Sequence, residues 1–399
     1  MTRILYIAPV RDFSGYAAAA RGYINALHRA GADVAVRAIR YDRADAGTEY
    51  KVTELEKQLL LKPLDDIDVV IQHTTPNELR PVVGKVNIAV VAWETTRIPE
   101  YWVKKLNQFN AVITFCDASV EAFKDCGVTV PVIKIPHTFD IPSYTLDGVD
   151  KVVSTSNPDF FDGKFVFYNI SQLSTKKGID VLLRSYLTEF HGPDKDKVIL
   201  ILKTYIDMSN RDSERERIKA FVANVKNALR LAPEEYPPLM VISNTLSDEQ
   251  IKKIHKTGDA YVCSSRAEGW CIPAFEALAY GKKLVTTSWG GMGEFAAIKN
   301  EDDWGKLSPD APKENVFLVN HLLEPLVGQQ HGDPELYTAK DLIAEPSVRS
   351  MMKQMRIAMT ADIEPKTNLM EFDYSIIGPK MLVTIKEVLA ATKKETINV

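Results

Sequence analysis

The chain has 399 residues, 45% hydrophobic and 26% charged, with a formal net charge of −4. That length points to two domains of ordinary globular character. No run of like charges advertises a broad nucleic-acid footprint, and no apolar stretch approaches the ~20 residues that cross a bilayer. The opening MTRILYIAPV runs straight into an apolar strand, without the long apolar region and cleavage site of a signal peptide. Cys116, Cys126, Cys263 and Cys271 form no CxxC pair and have no histidine-rich ligand spacing around them, so they read as free thiols of a reducing compartment. The expectation is a cytoplasmic protein.

The apolar runs are short, rich in Val and Ile, and do not alternate. That pattern suits parallel strands buried on both faces. Strands are expected near 3–9, 34–39, 68–72, 87–92 and 110–115, with helices such as 15–30 and 101–107 between them. The second half repeats the alternation, with strands near 165–170, 197–203, 239–242, 259–263 and 283–287 and helices at 178–190, 213–231, 248–256 and 273–280. The fold class is α/β, with two Rossmann-like doubly wound domains. Residues 1–150 form the first domain and 151–375 the second, with a polar, turn-rich hinge at 143–163. An amphipathic helix around Met381, Leu382, Ile385 and Leu389 lies in the final segment, 376–399.

The stretch from Ser264 to Gly281 carries the most chemistry. A strand ends at Cys263, a loop with Gly269 follows, Pro273 suits the first turn of a helix and Gly281 its C-terminal cap. The loop therefore delivers a helix N-terminus at the carboxyl end of a parallel strand, where open α/β sheets bind ligands and where a diphosphate is favoured. Glu268 falls in that loop and Glu276 in the expected first turn. Carboxylates accept hydrogen bonds from sugar hydroxyls. A first-turn Glu also serves as a plain dipole partner, so Glu276 taken alone leaves both readings open. Glu268, beside glycine in a strand-end loop, is harder to explain by stability.

Glu268 and Glu276 form an E-x7-E arrangement inside EGWCIPAFEALAYGKKLVTT, followed by the turn SWGG. This resembles the signature of glycosyltransferase family 4 and related enzymes of the GT-B fold, in which two Rossmann-like domains face a cleft. The resemblance implies that Glu276 holds the donor ribose, that Glu268 contacts the transferred sugar, and that Gly269, Trp270, Cys271 and Ile272 line sugar and phosphates. The stretch from Phe165 to Leu183 resembles the family's G-R-L-x-x-x-K-G segment. Lys177 and Gly178 match; Gln172 stands where the family has its phosphate-binding arginine. Lys176, Arg266 and Lys203 are candidates to restore that charge.

Within the first domain, the turn Asp12-Phe-Ser-Gly15-Tyr-Ala resembles the family's first loop, and His73, at a strand end, stands where the family commonly has a histidine near the transferred sugar. Trp93-Glu94 and the segment with His137 and Asp140 also resemble family segments and are read as cleft residues. The remaining histidines, in helical or loop contexts, are given no role. The resemblance further implies that the last helix crosses back to the first domain, that anomeric configuration is retained, and that the donor is a nucleotide-sugar, with UDP- or GDP-sugar favoured. Asp65-Asp66 and Asp302-Asp303 are adjacent pairs on loops, so no metal and no cofactor is expected. The acceptor stays open between a glycan or small molecule and a hydroxylated base of DNA. The rival readings are a nucleotide-sugar epimerase and a non-catalytic nucleotide-sugar-binding protein.

Overall fold

Runs of Val, Ile and Ala too short for a helix and apolar on both sides become parallel strands, and the segments between them supply the covering helices. The computed structural model describes residues 2–40, 50–154, 157–206, 211–296, 315–327, 336–363 and 368–397. The chain divides into two units: Met1–Ser143 with Gly332–Asp341 and Asn368–Val399, and Tyr144–His331 with Leu342–Thr367.

The first unit runs β1 (Arg3–Ala8), α1 (Gly15–Arg29), β2 (Asp33–Ala38), α2 (Glu54–Leu61), β3 (Val69–His73), β4 (Val86–Val90), α3 (Glu100–Leu106), β5 (Ala111–Thr114), α4 (Asp117–Asp125) and β6 (Val132–Lys134). The six strands pair in parallel in the order β2-β1-β3-β4-β5-β6. Every residue of β3, β4 and β5 is buried. α1 starts where the Ser14 hydroxyl accepts the Ala17 N–H at 3.1 Å, an N-cap that satisfies one orphan donor. The strand order reverses between β1 and β3, so the turn into α1 and the end of β3 open on the same crevice.

Two later segments complete this unit. Tyr337 stacks on Trp93 with ring centroids 5.4 Å apart, and the Thr95 hydroxyl donates to Asp341 at 3.2 Å. The Thr138 hydroxyl donates to the Phe372 carbonyl at 3.0 Å, and Asp373 accepts from the Ile141 N–H at 3.0 Å. The C-terminal helix, Tyr374–Ile397, buries Ile377, Met381 and Ile385 and sets Tyr374 beneath the Arg29 guanidinium, 4.9 Å from its ring centre. Whereas the sequence pattern places 151–375 in one domain, 336–341 and 368–375 sit with the first unit, because their partners are Trp93, Thr95, Thr138 and Ile141.

The second unit runs β7 (Phe165–Gln172), α5 (Ile179–Glu189), β8 (Val198–Tyr205), α6 (Arg211–Leu229), β9 (Leu239–Ile242), α7 (Asp248–Thr257), β10 (Ala260–Cys263), α8 (Ile272–Ala279), β11 (Lys283–Thr286), α9 (Met292–Ala296) and β12 (Val316–Leu318), then a hairpin of β13 (His321–Pro325) and β14 (Leu342–Pro346), and α10 (Val348–Thr360). The main sheet is parallel, in the order β12-β11-β10-β7-β8-β9. Its core on one face joins Phe167, Leu182, Tyr186, Val262, Val285, Met351 and Met355. This is the strand order of dinucleotide-binding sheets, with the reversal between β7 and β10. Strands β6 and β12 and the hairpin are not among the elements expected from the sequence. Asp302 and Asp303 lie outside the described residues; Asp65 and Asp66 are exposed. No helix among the described residues is long and apolar enough to cross a membrane.

Candidate active site

At the reversal, two loops leave the sheet side by side. β7 runs into a single turn, Thr175–Lys177, and then Gly178 at φ 60° before α5 begins. β10 runs into 264–271 before α8. The loops are zipped together: the Ser264 hydroxyl donates to the Lys177 carbonyl at 3.0 Å, the Ser265 hydroxyl to the Lys176 carbonyl at 3.1 Å, and the Arg266 N–H to the same carbonyl at 2.7 Å. A Cβ on Gly178 would stand 2.1 Å from the Ser264 carbonyl oxygen, so only glycine allows both this φ and this approach. Across the zip, the Lys177 ammonium donates to Glu268 at 2.7 Å, with the two side chains only 19% and 13% exposed. The SWGG turn closes the other side: Gly291 N–H donates to the Glu268 carbonyl at 3.0 Å, and a Cβ on Gly291 would meet the Gly269 oxygen at 2.2 Å.

Cys271 caps α8 at φ 70°, and its thiol lies 3.6 Å from that of Cys263; both are free. The hydrogen bond to Cys263 and burial push the Cys271 thiol well up, which keeps it protonated. Trp270 is buried with its ring 5.4 Å from Phe295. α8 opens at Ile272, a residue before Pro273, so Glu276 is its fifth residue and not part of the first turn as expected; no acidic residue occupies that turn. The dipole explanation for Glu276 weakens accordingly. Its side chain is 26% exposed, with the Tyr144 hydroxyl 3.5 Å from Oε1 and His255 Nε2 3.8 Å from Oε2.

The positive charges divide by partner. Arg266, expected as a donor-phosphate ligand, is buried and committed: it grips both oxygens of Asp180 at 2.9 and 3.0 Å, reaches Glu345 through Nε and Nη2, and donates to the Thr175 carbonyl at 2.7 Å. It pins the β7–α5 loop to β14 and has no fork left for a phosphate. Gln172 ends β7 with its amide donating to the Ile206 carbonyl at 2.7 Å. Lys176 lies in the single turn before Gly178 and is partly exposed. Lys203 is 7% exposed in β8, 5.3 Å from the Tyr205 ring centre, and burial lowers its pKa while Glu214 partly opposes that.

Gly15 and His73 belong to the first unit. Gly15 is the exposed first residue of α1, and its neighbour Tyr16 meets the His73 ring at 5.7 Å. The Tyr6 hydroxyl lies 2.9 Å from His73 Nδ1. Burial raises the Tyr6 phenol and pulls His73 down to about 3, so the phenol donates and the neutral ring carries its hydrogen on Nε2. That Nε2 is buried and makes no hydrogen bond among the described residues. Of the other residues read as lining a cleft, His137 is buried with its ring 3.9 Å from Phe115, Trp93 is buried against Trp102 and Tyr337, and Asp140 is paired with Arg29 at 2.6 Å.

Residues 239–302 match the family model described as Glycosyl transferases group 1, a span that holds Glu268, Glu276 and the SWGG turn. This chain has the GT-B fold, and its segment 239–302 is similar to group 1 glycosyl transferases. Among solved structures, a trehalose-6-phosphate synthase from Burkholderia multivorans is similar at TM-score 0.64 and 13% identity, over 98% of this chain and 100% of the other. The N-terminal domain of a Candida albicans trehalose-6-phosphate phosphatase gives 0.60 and 10%, over 97% of each chain. An E. coli trehalose-6-phosphate structure bound with UDP-2-fluoro glucose gives 0.57 and 11%, over 99% and 98%. No curated protein matches the chain in sequence.

Of the expected site residues, the group 1 segment holds Arg266, Glu268, Gly269, Trp270, Cys271, Ile272 and Glu276. The loop after β7 brings Lys177 against Glu268. Sequence reasoning missed Asp180 and Glu345, which claim Arg266, and Tyr168 and His255 behind Glu276. His255 carried a readable signal: it shares the buried face of α7 with Ile254, after a capping box at Ser247 and Gln250.

Proposed function

We propose that the protein is a retaining glycosyltransferase that moves a sugar from a nucleotide-sugar donor to an acceptor hydroxyl of a glycan or small molecule. The observation that carries this is the Lys177–Glu268 pair, 2.7 Å apart on two loops that leave β7 and β10 at the strand-order reversal. That is where an α/β sheet receives a nucleotide, and the group 1 segment supports a sugar nucleotide there.

Lys177 steadies the diphosphate as it departs, a task for a fixed cation in a sheltered site. Glu268 takes hydrogen bonds from the transferred sugar, and the backbone of Gly269, Trp270, Cys271 and Ile272 lines sugar and phosphates. Glu276 accepts from the ribose hydroxyls. With Arg266 committed to carboxylates and Gln172 neutral, Lys177 and Lys176 carry the phosphate charge. Within the first unit, His73 keeps a neutral, buried N–H at Nε2. Attack occurs on the face the diphosphate leaves, and the leaving phosphate helps take the acceptor proton. No metal or cofactor enters the proposal.

Thermal stability against UDP-, GDP-, ADP- and CMP-sugars and their free nucleotides tests this reading. UDP is the first choice, since the E. coli structure of similar fold is bound with UDP-2-fluoro glucose. A stabilising shift for one nucleotide is expected, lost in Glu276→Ala, at a cost of about 1.5–3 kcal/mol of binding for charge-assisted hydrogen bonds. No shift with any nucleotide would refute the donor site. An unaltered shift in Glu276→Ala would refute the role of that carboxylate.

A further inference from the structure

Behind Glu276 lies a polar chain that the proposed chemistry does not use. Tyr168 in β7 and His255 in α7 are both fully buried, and the Tyr168 hydroxyl is 3.0 Å from His255 Nδ1. His255 Nε2 makes no hydrogen bond among the described residues and stands 3.8 Å from Glu276 Oε2. The ring is held in place: Tyr168 meets it edge-on at 5.4 Å and Tyr280 covers it at 5.0 Å. Burial, then the charge of Glu276, raises the Tyr168 phenol, so it keeps its proton and donates to Nδ1. Nε2 then carries the ring hydrogen and faces the carboxylate.

A ring that served only to fill space would not need this arrangement, and a buried N–H left unpaired is costly. Oε2 has to move by only about 0.9 Å to reach hydrogen-bond distance. The other oxygen is held as loosely, by Tyr144 at 3.5 Å. We infer that His255, oriented by Tyr168, is a positioning residue that fixes Glu276 through Oε2 and so aims the carboxylate at the ribose hydroxyls of the donor. This rests on the ribose-binding role proposed above for Glu276. The chain Tyr168–His255–Glu276 would set how well the site tells ribose from deoxyribose, without itself touching the ligand through Tyr168 or His255.

The experiment compares dissociation constants of UDP, GDP and ADP with those of their 2′-deoxy counterparts by titration calorimetry. The proteins are the full chain and its Glu276→Gln, His255→Phe, His255→Gln and Tyr168→Phe variants. The unaltered chain is expected to favour the ribonucleotide by about tenfold or more, one good hydrogen bond's worth. In His255→Phe that preference falls to about twofold while 2′-deoxynucleotide affinity holds. His255→Gln, whose amide can still donate, recovers part of it. Tyr168→Phe, which removes one hydroxyl, lowers it by a few-fold and decides the matter if His255→Phe does not fold. A ribose preference undiminished in both His255→Phe and Tyr168→Phe, yet lost in Glu276→Gln, overturns the positioning role alone. A preference absent from the unaltered chain for all three nucleotides, or kept in Glu276→Gln, overturns the ribose role of Glu276 and this inference with it.

Discussion

Lys177 Nζ and Glu268 Oε1 stand 2.7 Å apart and form a charged tie between the loops that follow β7 and β10. Both side chains are mostly withdrawn from water, so removing one leaves the other poorly solvated. Lys177→Ala is expected to lower stability by about 1–3 kcal/mol in denaturant titration and to slow turnover by about 10²-fold or more. The double variant with Glu268→Ala should lose less stability than the sum of the singles. Turnover at the original rate in Lys177→Ala would move the phosphate site elsewhere.

Gly178 and Gly15 both precede or open helices and should respond oppositely to alanine. Gly178 has φ 60° and no room for a Cβ beside the Ser264 carbonyl. Gly178→Ala should cost about 2–4 kcal/mol and loosen the zipped loops. At Gly15 a methyl group would meet nothing within 4 Å, and Gly15→Ala should leave stability unchanged or raise it by up to about 1 kcal/mol. Thermal melts of the two variants check the contrast.

Arg266→Met should unfold the protein more readily, by about 2–4 kcal/mol, because Asp180, Glu345 and the Thr175 carbonyl lose their shared donor. If Arg266 bound donor phosphate instead, the variant would lose nucleotide affinity at little cost in stability. Paired denaturation and nucleotide titration separate the two.

His73 supplies a pH dependence. Burial holds it at about 3 against an ordinary 6.5, so the folded ring stays neutral while the unfolded chain takes up a proton. The unfolded state binds more protons across that window, and stability is therefore full above about 6.5 and lost as pH falls toward about 3, by up to ~1.4 kcal/mol per pH unit. His137, lowered by burial and by His73, acts in the same sense. His73→Phe should show a shallower acid loss than the unaltered chain in denaturation at stepped pH. An identical slope would mean that the ring titrates normally.

Most strands were legible because a strand buried on both faces reads as a run of Val, Ile and Leu, as Val198–Leu202 is. β6 escaped because Val132–Lys134 is three half-buried residues, and β13 because its Leu322 and Leu323 face solvent. The loop with Glu268 and the match at Lys177 were legible as local patterns. The fate of Arg266 was not: its carboxylate partners lie 86 and 79 residues away, and only the tertiary fold turns a free-looking arginine into a fixed one. The burial of His255 was readable from the pattern of α7, but its role was not, since that lies in Tyr168 and Glu276, which come from β7 and α8.

The return of the chain to its own beginning has a consequence for how the molecule is made. Trp93 awaits Tyr337, and Thr138 and Ile141 await Phe372 and Asp373. Domains commonly finish folding in the order in which they are synthesised. Here the first-made unit gains its closing contacts last, once the helix Tyr374–Ile397 has left the ribosome. A fragment ending at Ser143 should accordingly bare these surfaces and aggregate, and co-expressing residues 336–397 should not be a substitute for an unbroken chain unless Tyr144–His331 is supplied as well.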